Sequence, residues 1–249
     1  MGRLADLTEF KQLIEESQRI VFFSGAGVST NSGIPDFRSA QGLYVEDQGY
    51  QFSPEQIISR SFFNQYPKIF FEFYFDKLVY HEAKPNVAHH FARWLEIKGK
   101  EVAVVTQNID GLHQKAGSTE VYELHGSVAR NYCMECHRYY HLDELVLDKE
   151  GIPRCESCQG IVKPDVVLYE EPLDQQVMND AVHKIHQADL MIIAGTSLVV
   201  YPAAGLVNYF NGRKIVVINQ TAVPLYRSDV LTIQEEMGAI FSEVMEMDV

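Results

Sequence analysis

The stretch that decides the fold is GAGVSTNSGIPDFRS at residues 25–39, which directly follows a short apolar run at 19–23. Because glycine lacks a Cβ atom, a strand that runs into Gly-Ala-Gly can turn sharply and bring backbone N–H groups against a phosphate. A dinucleotide-binding dehydrogenase would have a third glycine at the position of Thr30 and an acidic residue on the ribose after a second strand. The residues from Ser29 to Pro35 cannot form that strand. The motif therefore predicts a nucleotide site without hydride transfer. The alternative is a glycine-rich loop that only makes a turn, but such a turn would not need a motif of this length.

The overall composition limits the class of protein. The chain has 249 residues, 46% of them hydrophobic, which suits one globular unit with a smaller satellite lobe. With 21 basic and 34 acidic side chains the formal net charge is −13, which disfavours nucleic acid or an anionic membrane as the main partner. The sequence has no run of about 20 apolar residues and no apolar core of a secretory signal near its N-terminus. We expect a cytoplasmic protein and a monomer.

Apolar runs that alternate with helical patterns predict the architecture. Strands are predicted at residues 19–23, 101–105, 121–124, 166–168, 190–194 and 215–218. Helices are predicted at 4–17, 86–98 and 174–187. Continuous apolar runs are typical of strands covered on both faces of a parallel sheet, so we predict the α/β class with a doubly wound, Rossmann-like parallel sheet. The aromatic-rich segment 44–80 predicts a small helical insertion, whose rings form either its core or a partly exposed apolar groove.

Small, polar or titratable residues follow each of five predicted strands, at 24–27, 106–110, 125–126, 195–197 and 219–221. In open α/β sheets the ligand lies outside the carboxyl ends of the strands, so five loops are expected to meet in one crevice. Gly25 and Gly27 allow close approach to a phosphate, and Asn108 and Asp110 suit a ribose or a carboxamide. The hydroxyls of Thr196 and Ser197 suit ribose or phosphate, the guanidinium of Arg38 suits a diphosphate, and the ring of Phe37 suits an aromatic base. His125, which titrates near neutral pH, is the best candidate for a general base.

The four cysteines form two pairs, Cys133-x-x-Cys136 and Cys155-x-x-Cys158, separated by 18 residues. This spacing is typical of a four-cysteine zinc ribbon, in which four thiolates surround one Zn²⁺ and leave no open position for water. Disulfides are the rival interpretation, but nothing in the sequence indicates an oxidising compartment. We therefore predict a structural zinc and one catalytic domain with two lobes. The large lobe would comprise 1–40, 86–128 and 162–249, and the small lobe a helical module at 41–85 and the ribbon at 129–161.

These motifs match a known family. The chain resembles the sirtuins, the NAD-dependent protein-lysine deacylases, and is similar to their short bacterial members. The resemblance rests on GAGVSTNSGIPDFRS (25–39), TQNIDGLHQKAG (106–117), LHG (124–126), the four cysteines, KPDVVLYEE (163–171) and GTSLVVYPAA (195–204).

The resemblance implies a reaction and a set of site residues. Acyl-lysine would be converted to free lysine, nicotinamide and O-acyl-ADP-ribose at the expense of NAD, with His125 as the proton acceptor and with Asn108 and Asp110 also needed for catalysis. The implied NAD contacts are Ala26, Thr30, Phe37, Arg38, Gln107, Asn108, Ile109, Asp110, Gly195, Thr196, Ser197 and Asn219. Val167 and its neighbours, including Tyr169, would pair with the backbone of a protein or peptide substrate.

The chain departs from the family pattern in two places. Glu170 stands where the family usually has glycine, which is expected to alter peptide docking or to favour basic peptides. Tyr74 and Lys77 lie where desuccinylating members have a Tyr-x-x-Arg pair. Lysine offers a point charge instead of a bidentate fork, so we expect deacetylation to exceed desuccinylation.

Two alternative functions remain at the level of sequence. The same fold could transfer ADP-ribose to an acceptor or simply hydrolyse NAD. The chain could also be a zinc-ribbon protein without enzymatic activity that binds a partner, although its charge and the five converging loops argue against this.

Overall fold

The computed structural model describes residues 2–36, 51–225 and 227–247. The helices of these ranges are α1 (Arg3–Glu16), α2 (Pro54–Ile57), α3 (Arg60–Gln65), α4 (Pro67–Lys77), α5 (Val87–Ile97), α6 (Leu112–Lys115), α7 (Gln175–Gln187) and α8 (Met237–Glu246). The strands are β1 (Arg19–Ser24), β2 (Glu101–Thr106), β3 (Val121–Glu123), β4 (Gly126–Cys133), β5 (Tyr139–His141), β6 (Val146–Leu147), β7 (Pro153–Arg154), β8 (Val162–Val166), β9 (Leu190–Ala194), β10 (Lys214–Ile218) and β11 (Val230–Ile233). Short 3₁₀ helices follow at Ala26–Ser32, Leu142–Glu144 and Ala203–Tyr209.

The main sheet has six strands in the order β11-β10-β9-β1-β2-β3, and each neighbouring pair is parallel. From β1 the chain builds outward to β2 and β3 on one side, and later to β9, β10 and β11 on the other. The order therefore reverses between β1 and β9, which opens a crevice at their carboxyl ends. The predicted doubly wound α/β fold is confirmed.

Hydrophobic layers cover both faces of this sheet, as the continuous apolar strands require. On one face α1, α5 and α8 bury the rings of Phe10, Phe22, Phe91 and Phe241 against one another. On the other face α7 and the 3₁₀ helix Ala203–Tyr209 pack against the alternate side chains of the same strands. The two layers hold the strand ends in fixed relative positions.

The aromatic-rich segment is a helical module with a core of its own. Helices α2, α3 and α4 bury Phe62, Phe63, Phe70, Phe71 and Phe73 together with Tyr74. Ser53 caps α2, and Pro54 and Pro67 occupy the first helical positions of α2 and α4, as their sequence predicts. Most of the rings thus form a packed core rather than an open groove. The part of this segment at 44–50 lies outside the described residues.

A second, antiparallel sheet of the order β5-β4-β8 carries the cysteines, beside the short hairpin β6-β7. The predicted strand at 166–168 is wrong in position, because β8 ends at Val166. Beyond that residue the backbone N–H of Val167 donates to the carbonyl oxygen of His125, and that of Leu168 donates to the Glu171 carboxylate. The first bond continues the register of β8 with the chain before β4 by one residue, whereas the second goes to a side chain and ends the ladder, although the apolar side chains continue the pattern of a strand.

Sequence patterns also missed β11 and α8, which complete the sheet and one of its layers. Among the helices of the described ranges, none combines the length and the apolar character needed to cross a bilayer.

Candidate functional site

The carboxyl ends of the parallel strands open into one cleft of about 1000 Å³. Its floor comes from the loops after β1, β2, β3, β9 and β10, as predicted, and also from the segment between β11 and α8. The lining residues from these loops are Ala26, Gly27, Thr30, Gln107, Asn108, Ile109, His125, Gly195, Thr196, Ser197, Asn219, Gln220, Thr221, Glu236 and Met237.

The turn after β1 packs against the turn after β9. A Cβ atom on Gly27 would lie 2.9 Å from the Cα atom of Gly195, and a Cβ atom on Gly195 would collide with the backbone nitrogen of Val28. Gly195 also has a φ of 60°, in the left-handed region that favours glycine. The two turns can touch only because both residues are glycine. Their backbones thereby form a narrow floor. The N–H groups of Gly25 and Gly27 already donate to the carbonyl oxygens of Ala194 and Gly195, so a phosphate on this floor would bind other main-chain N–H groups of the two turns.

His125 lies between β3 and β4 and lines the cleft. Its Nδ1 is 2.9 Å from the carbonyl oxygen of Gln107, which can only accept, so Nδ1 carries the proton and Nε2 has a free lone pair. Burial lowers the pKa of His125 from 6.5, and the bond to Gln107 opposes this shift in part. The imidazole is therefore neutral at pH 7 and able to accept a proton at Nε2.

A buried polar network centred on Ser29 lies beneath the cleft. The Ser29 hydroxyl donates to Asp110 Oδ2 at 2.6 Å and accepts from Asn108 Nδ2 at 3.0 Å. The backbone N–H of Leu112 donates to the other carboxylate oxygen of Asp110 at 2.9 Å. Burial raises the pKa of Asp110, whereas these donors and the charge of Lys115 favour its ionised form. The network holds the amide of Asn108 and the carboxylate of Asp110 in defined orientations.

Two buried histidines extend this network into the core. His89 accepts the backbone N–H of Asn86 at Nδ1, so its Nε2 carries the proton and lies 3.4 Å from the Ser29 hydroxyl. Burial lowers the pKa of His89 to about 4. His113 lies 3.1 Å from the Ser24 hydroxyl and packs its ring 4.8 Å from that of His89. Both rings are neutral supports of the site.

Sequence reasoning assigned no role to Ser29 or His89. Ser29 lies within the quoted motif at 25–39, so its position next to the nucleotide turn was an available signal. His89 had none, because a histidine on the face of a helix does not reveal which buried hydroxyl it will meet.

The structure brings most of the predicted site residues together and leaves some apart. Besides the floor residues, Tyr74, Val167 and Tyr169 line the cleft. Gly25 packs against Thr196, where a Cβ atom would lie 2.6 Å from the threonine Cβ. Asp110 lies behind Ser29 and lines a smaller neighbouring cavity. Phe37 and Arg38 lie outside the described residues.

Tyr74 and Lys77, the predicted pair in the helical module, lie in different environments. Tyr74 is 1% exposed, and its hydroxyl has no hydrogen-bond partner among the described residues. Lys77 is absent from the described lining of the cleft and pairs with Asp76 at 3.0 Å. The phenol of Tyr74 thus borders the cleft, whereas the charge of the Lys77 ammonium is partly neutralised by Asp76.

The segment after β8 is held between the helical module and the loop that follows β3. The backbone of Tyr169 bonds Ile58 and Arg60 of the helical module, while Val167 bonds His125. The Glu171 carboxylate pairs with Arg60 at 2.7 Å and with Lys163 at 3.3 Å. This segment therefore forms a fixed wall of the cleft next to His125.

The four cysteines form a compact cluster. All four sulfur atoms lie within 4.8 Å of one another, and the closest pairs are Cys133 with Cys158 at 3.4 Å and Cys136 with Cys155 at 3.5 Å. Zn–S bonds of about 2.3 Å place the corners of a tetrahedron about 3.8 Å apart, whereas a disulfide needs about 2.05 Å. The cluster fits one Zn²⁺ with four thiolates, as the spacing predicts.

The local backbone explains why the cysteines converge. Each Cys-x-x-Cys pair forms the same turn, in which the residue after the second cysteine has a left-handed backbone, His137 in one and Gln159 in the other. The Tyr140 hydroxyl accepts the backbone N–H of Glu156 and donates to Cys155 Sγ at 3.2 Å. The ribbon thus supplies a hydrogen bond to one metal ligand in addition to the four sulfur atoms.

The fold and the cleft define a Rossmann-type nucleotide-binding protein with an attached metal-binding lobe. A model of the Sir2 family matches residues 25–202. The chain belongs to the Sir2 family.

Relatives in other bacteria match over almost the full length. An NAD-dependent protein deacetylase of Clostridium perfringens is 54% identical over 241 residues, which is 96% of this chain and 98% of the relative. A protein of the same name from Clostridium tetani is 51% identical over 95% of this chain and 96% of its own length.

Solved structures of Sir2 proteins also resemble this chain over almost its full length. One described as Sir2 bound to acetylated peptide has a TM-score of 0.82 at 35% identity and covers 97% of this chain and 98% of its own. A Sir2 complex with a p53 peptide and NAD⁺ has a TM-score of 0.83 at 36% identity, with the same coverage.

Proposed function

We propose that this chain is an NAD-dependent protein-lysine deacetylase that transfers the acyl group to ADP-ribose and releases nicotinamide. The observation that carries the proposal is His125, a neutral base that lines a cleft formed by the ends of the parallel strands and whose Nδ1 is occupied by the Gln107 carbonyl oxygen. The names of the relatives and the acetylated peptide in a similar structure support the same activity.

We assign the nucleotide to the floor of this cleft. The glycine turns after β1 and β9 would receive the diphosphate, with Ala26 and Thr30 beside it. Gly195, Thr196, Ser197 and Asn219 would hold the adenosine half, and Gln107, Asn108 and Ile109 the nicotinamide end. The chemistry of these groups fits, since main-chain N–H groups, hydroxyls and amides are the usual partners of phosphate, ribose and carboxamide.

Bound NAD supplies an electrophilic ribose carbon, which takes the acyl oxygen of the substrate as nicotinamide leaves. The chain's own residues orient the partners and move one proton. Asn108, fixed by Ser29, would orient the ribose, and Asp110 would hold Ser29 in place through its ionised carboxylate. His125 Nε2 would accept the proton of a ribose hydroxyl, and the Gln107 carbonyl would stabilise the resulting imidazolium through Nδ1–H.

The acyl-lysine segment would lie along the wall formed by residues 166–171. Val167 is held by His125, so a substrate backbone paired with this segment would bring its acylated side chain towards the base. Tyr169, which is 43% exposed, would cover the neighbouring part of the substrate. Tyr74 would border the acyl group.

Zinc has no catalytic part in this proposal. Four thiolates fill a tetrahedral site, so the ion would hold the ribbon together without binding water or substrate. We include in the proposal a cytoplasmic location, a monomeric state, the absence of direct nucleic-acid binding and the lobe boundaries given above. Cell fractionation and gel filtration test the first two.

The test is to incubate the purified protein with NAD and an acetyl-lysine peptide and to follow the products by mass spectrometry. We expect equal amounts of deacetylated peptide, nicotinamide and O-acetyl-ADP-ribose. Nicotinamide release that does not depend on the peptide would indicate NAD hydrolysis, and a peptide that gains ADP-ribose would indicate transfer; either result would refute the proposal.

A further inference from the structure

Glu170 has a strained backbone that its side chain secures. Its φ is 74°, in the left-handed region that residues other than glycine rarely adopt. The carboxylate accepts the backbone N–H and the hydroxyl of Ser61, both at 2.9 Å. These two bonds tie the end of the cleft wall to the helical module and keep the carboxylate in one place.

No described lysine or arginine forms an ion pair with Glu170. The adjacent Glu171 is paired with both Arg60 and Lys163. Glu170 is exposed, and within the described ranges it bonds only the neutral donors of Ser61. This position therefore presents an acidic side chain to the solvent.

The charged residues that line the cleft around Glu170 are also acidic. Among the described residues that line the cleft there is no lysine or arginine, whereas Asp36, Glu170, Glu171 and Glu236 are all acidic. Glu236 is engaged at the N-terminus of α8 and by Asn31, towards the nucleotide end of the cleft. Of the two acidic residues on the substrate wall, Glu171 is paired with Arg60 and Lys163, so Glu170, three residues beyond Val167, is the one that no described lysine or arginine pairs with.

We propose that Glu170 makes this enzyme select acyl-lysine segments with a lysine or arginine two to four residues from the acylated position. The inference rests on the proposed function and deepens it. The backbone N–H of Glu171 donates to the carbonyl oxygen of Leu168 at 3.0 Å, so Glu170 belongs to a turn at the end of the wall. Even a fully extended chain advances only about 3.3 Å per residue, so Glu170 lies at most about 10 Å from Val167. A substrate that pairs with Val167 can therefore bring a cation two to four residues away close to the Glu170 carboxylate. The electrostatic attraction of an exposed carboxylate extends over about one Debye length, which is about 8 Å at physiological salt.

The first test compares three acetyl-lysine peptides that differ at a single position, three residues from the acetyl-lysine. That position is arginine, alanine or glutamate. We test the substitution on both sides of the acetyl-lysine, because the direction of pairing is open. For the wild-type enzyme we expect kcat/KM to fall in the order arginine, alanine, glutamate, by about two- to fivefold per step, as exposed ion pairs allow. The differences should shrink as NaCl is raised, because salt screens exposed charges.

Three variants test whether the preference depends on the charge of Glu170 or on its structural contacts. Glu170→Gln removes the charge but retains an oxygen that can accept from Ser61, and it should bring the arginine-to-alanine ratio close to one. Ser61→Ala removes one hydrogen bond but retains the charge, so the preference should persist. Glu150→Gln, at an exposed position of the zinc ribbon, changes the net charge equally and should leave the ratio unchanged. Thermal melting checks that each variant is folded.

The outcomes distinguish this inference from the function on which it rests. If the wild type deacetylates the alanine peptide but shows no preference for arginine, the inference is wrong and the proposed function stands. If Glu170→Gln keeps the preference, or Glu150→Gln loses it to the same extent, Glu170 is not its source. If the wild type deacetylates none of the peptides, the proposed function fails and the inference fails with it.

Discussion

His125 Nδ1 and the carbonyl oxygen of Gln107 are 2.9 Å apart, and this contact determines which ring nitrogen can act as a base. A carbonyl oxygen cannot donate a hydrogen bond, so the proton of the neutral ring must reside on Nδ1. The free lone pair is therefore on Nε2. Since Gln107 belongs to the loop after β2 and His125 follows β3, pairing between these two strands sets the position of the base.

We expect His125→Ala to abolish deacetylation while NAD binding and folding remain close to those of the wild type. The loss of a general base costs about 10²- to 10⁴-fold in rate, whereas the ring contributes little to the hydrophobic core. Peptide turnover, NAD titration and thermal melting measure the three properties. His183→Ala on the exposed face of α7 is the matched control and should retain full activity. Deacetylation by His125→Ala at the wild-type rate would refute the assignment of the base.

The pH dependence of kcat/KM should show the lowered pKa of His125. Burial favours the neutral ring and lowers the pKa of His125 below 6.5. The base is therefore unprotonated above this lowered pKa, and activity should fall only as the pH drops through it. We expect the midpoint of the acid limb to lie below 6.5 with a neutral acetyl-lysine peptide. A midpoint above 6.5 that belongs to His125, assigned by NMR titration of its ring, would contradict this prediction.

Ser29→Ala should reduce kcat/KM by about ten- to a hundredfold. The substitution removes the donor to Asp110 and the acceptor of Asn108, and an unpaired buried polar group costs about 1–3 kcal/mol. It should also raise the pKa of Asp110 further, because a donor to the ionised form is lost. Steady-state kinetics and denaturant unfolding measure the effects.

Ser118→Ala is a suitable control for Ser29→Ala. Ser118 is buried, but its hydroxyl has no partner among the described residues. Its replacement should leave the kinetics unchanged. Equal effects of the two substitutions would mean that Ser29 has no role beyond filling space.

Tyr140→Phe should accelerate the release of zinc without unfolding the ribbon. The Tyr140 hydroxyl donates to Cys155 Sγ, and the loss of such an outer hydrogen bond typically weakens metal binding by about 10- to 100-fold. Zinc transfer to a colorimetric chelator measures the rate. Cys133→Ala should lose the metal altogether and lower the melting temperature, because the binding energy of structural zinc is folding energy.

Tyr139→Phe is the control for this experiment, because the Tyr139 hydroxyl bonds His141 rather than a sulfur atom. Its zinc release should match that of the wild type. If Cys133→Ala retained one equivalent of zinc and full thermal stability, the assignment of the metal site would be wrong.

Acetyl-lysine peptides should be turned over faster than succinyl-lysine peptides of the same sequence. Lys77 offers a point charge that is partly neutralised by Asp76, so it attracts a succinyl carboxylate weakly. Lys77→Arg should raise succinyl turnover by a few fold, because a planar fork can bind a carboxylate at two points. Lys68→Arg on the exposed part of α4 is the control. Comparable or better turnover of the succinyl peptide by the wild type would overturn the expected preference.

Several features follow from short stretches of sequence because they depend on local chemistry. The apolar runs of β1, β2, β9 and β10 predict buried parallel strands, since each is covered on both faces. The two Cys-x-x-Cys pairs predict a four-thiolate metal site, because each pair forms a turn that directs both sulfur atoms to one point. The polar residues after the strands predict the cleft, because parallel strands end at the same edge of a sheet.

Other features are decided only when distant parts of the chain pack together. The bond between Glu170 and Ser61 spans 109 positions in the sequence, and that between Ser29 and Asp110 spans 81. No local pattern specifies such pairs, because periodicity reports which face of an element is buried but not what it meets. The same reason explains the error at 166–168, where apolar residues continue after the ladder has ended. The sequence alone determines the fold class and the chemical groups present, whereas tertiary packing decides their partners, their protonation and the charge that the cleft presents to a substrate.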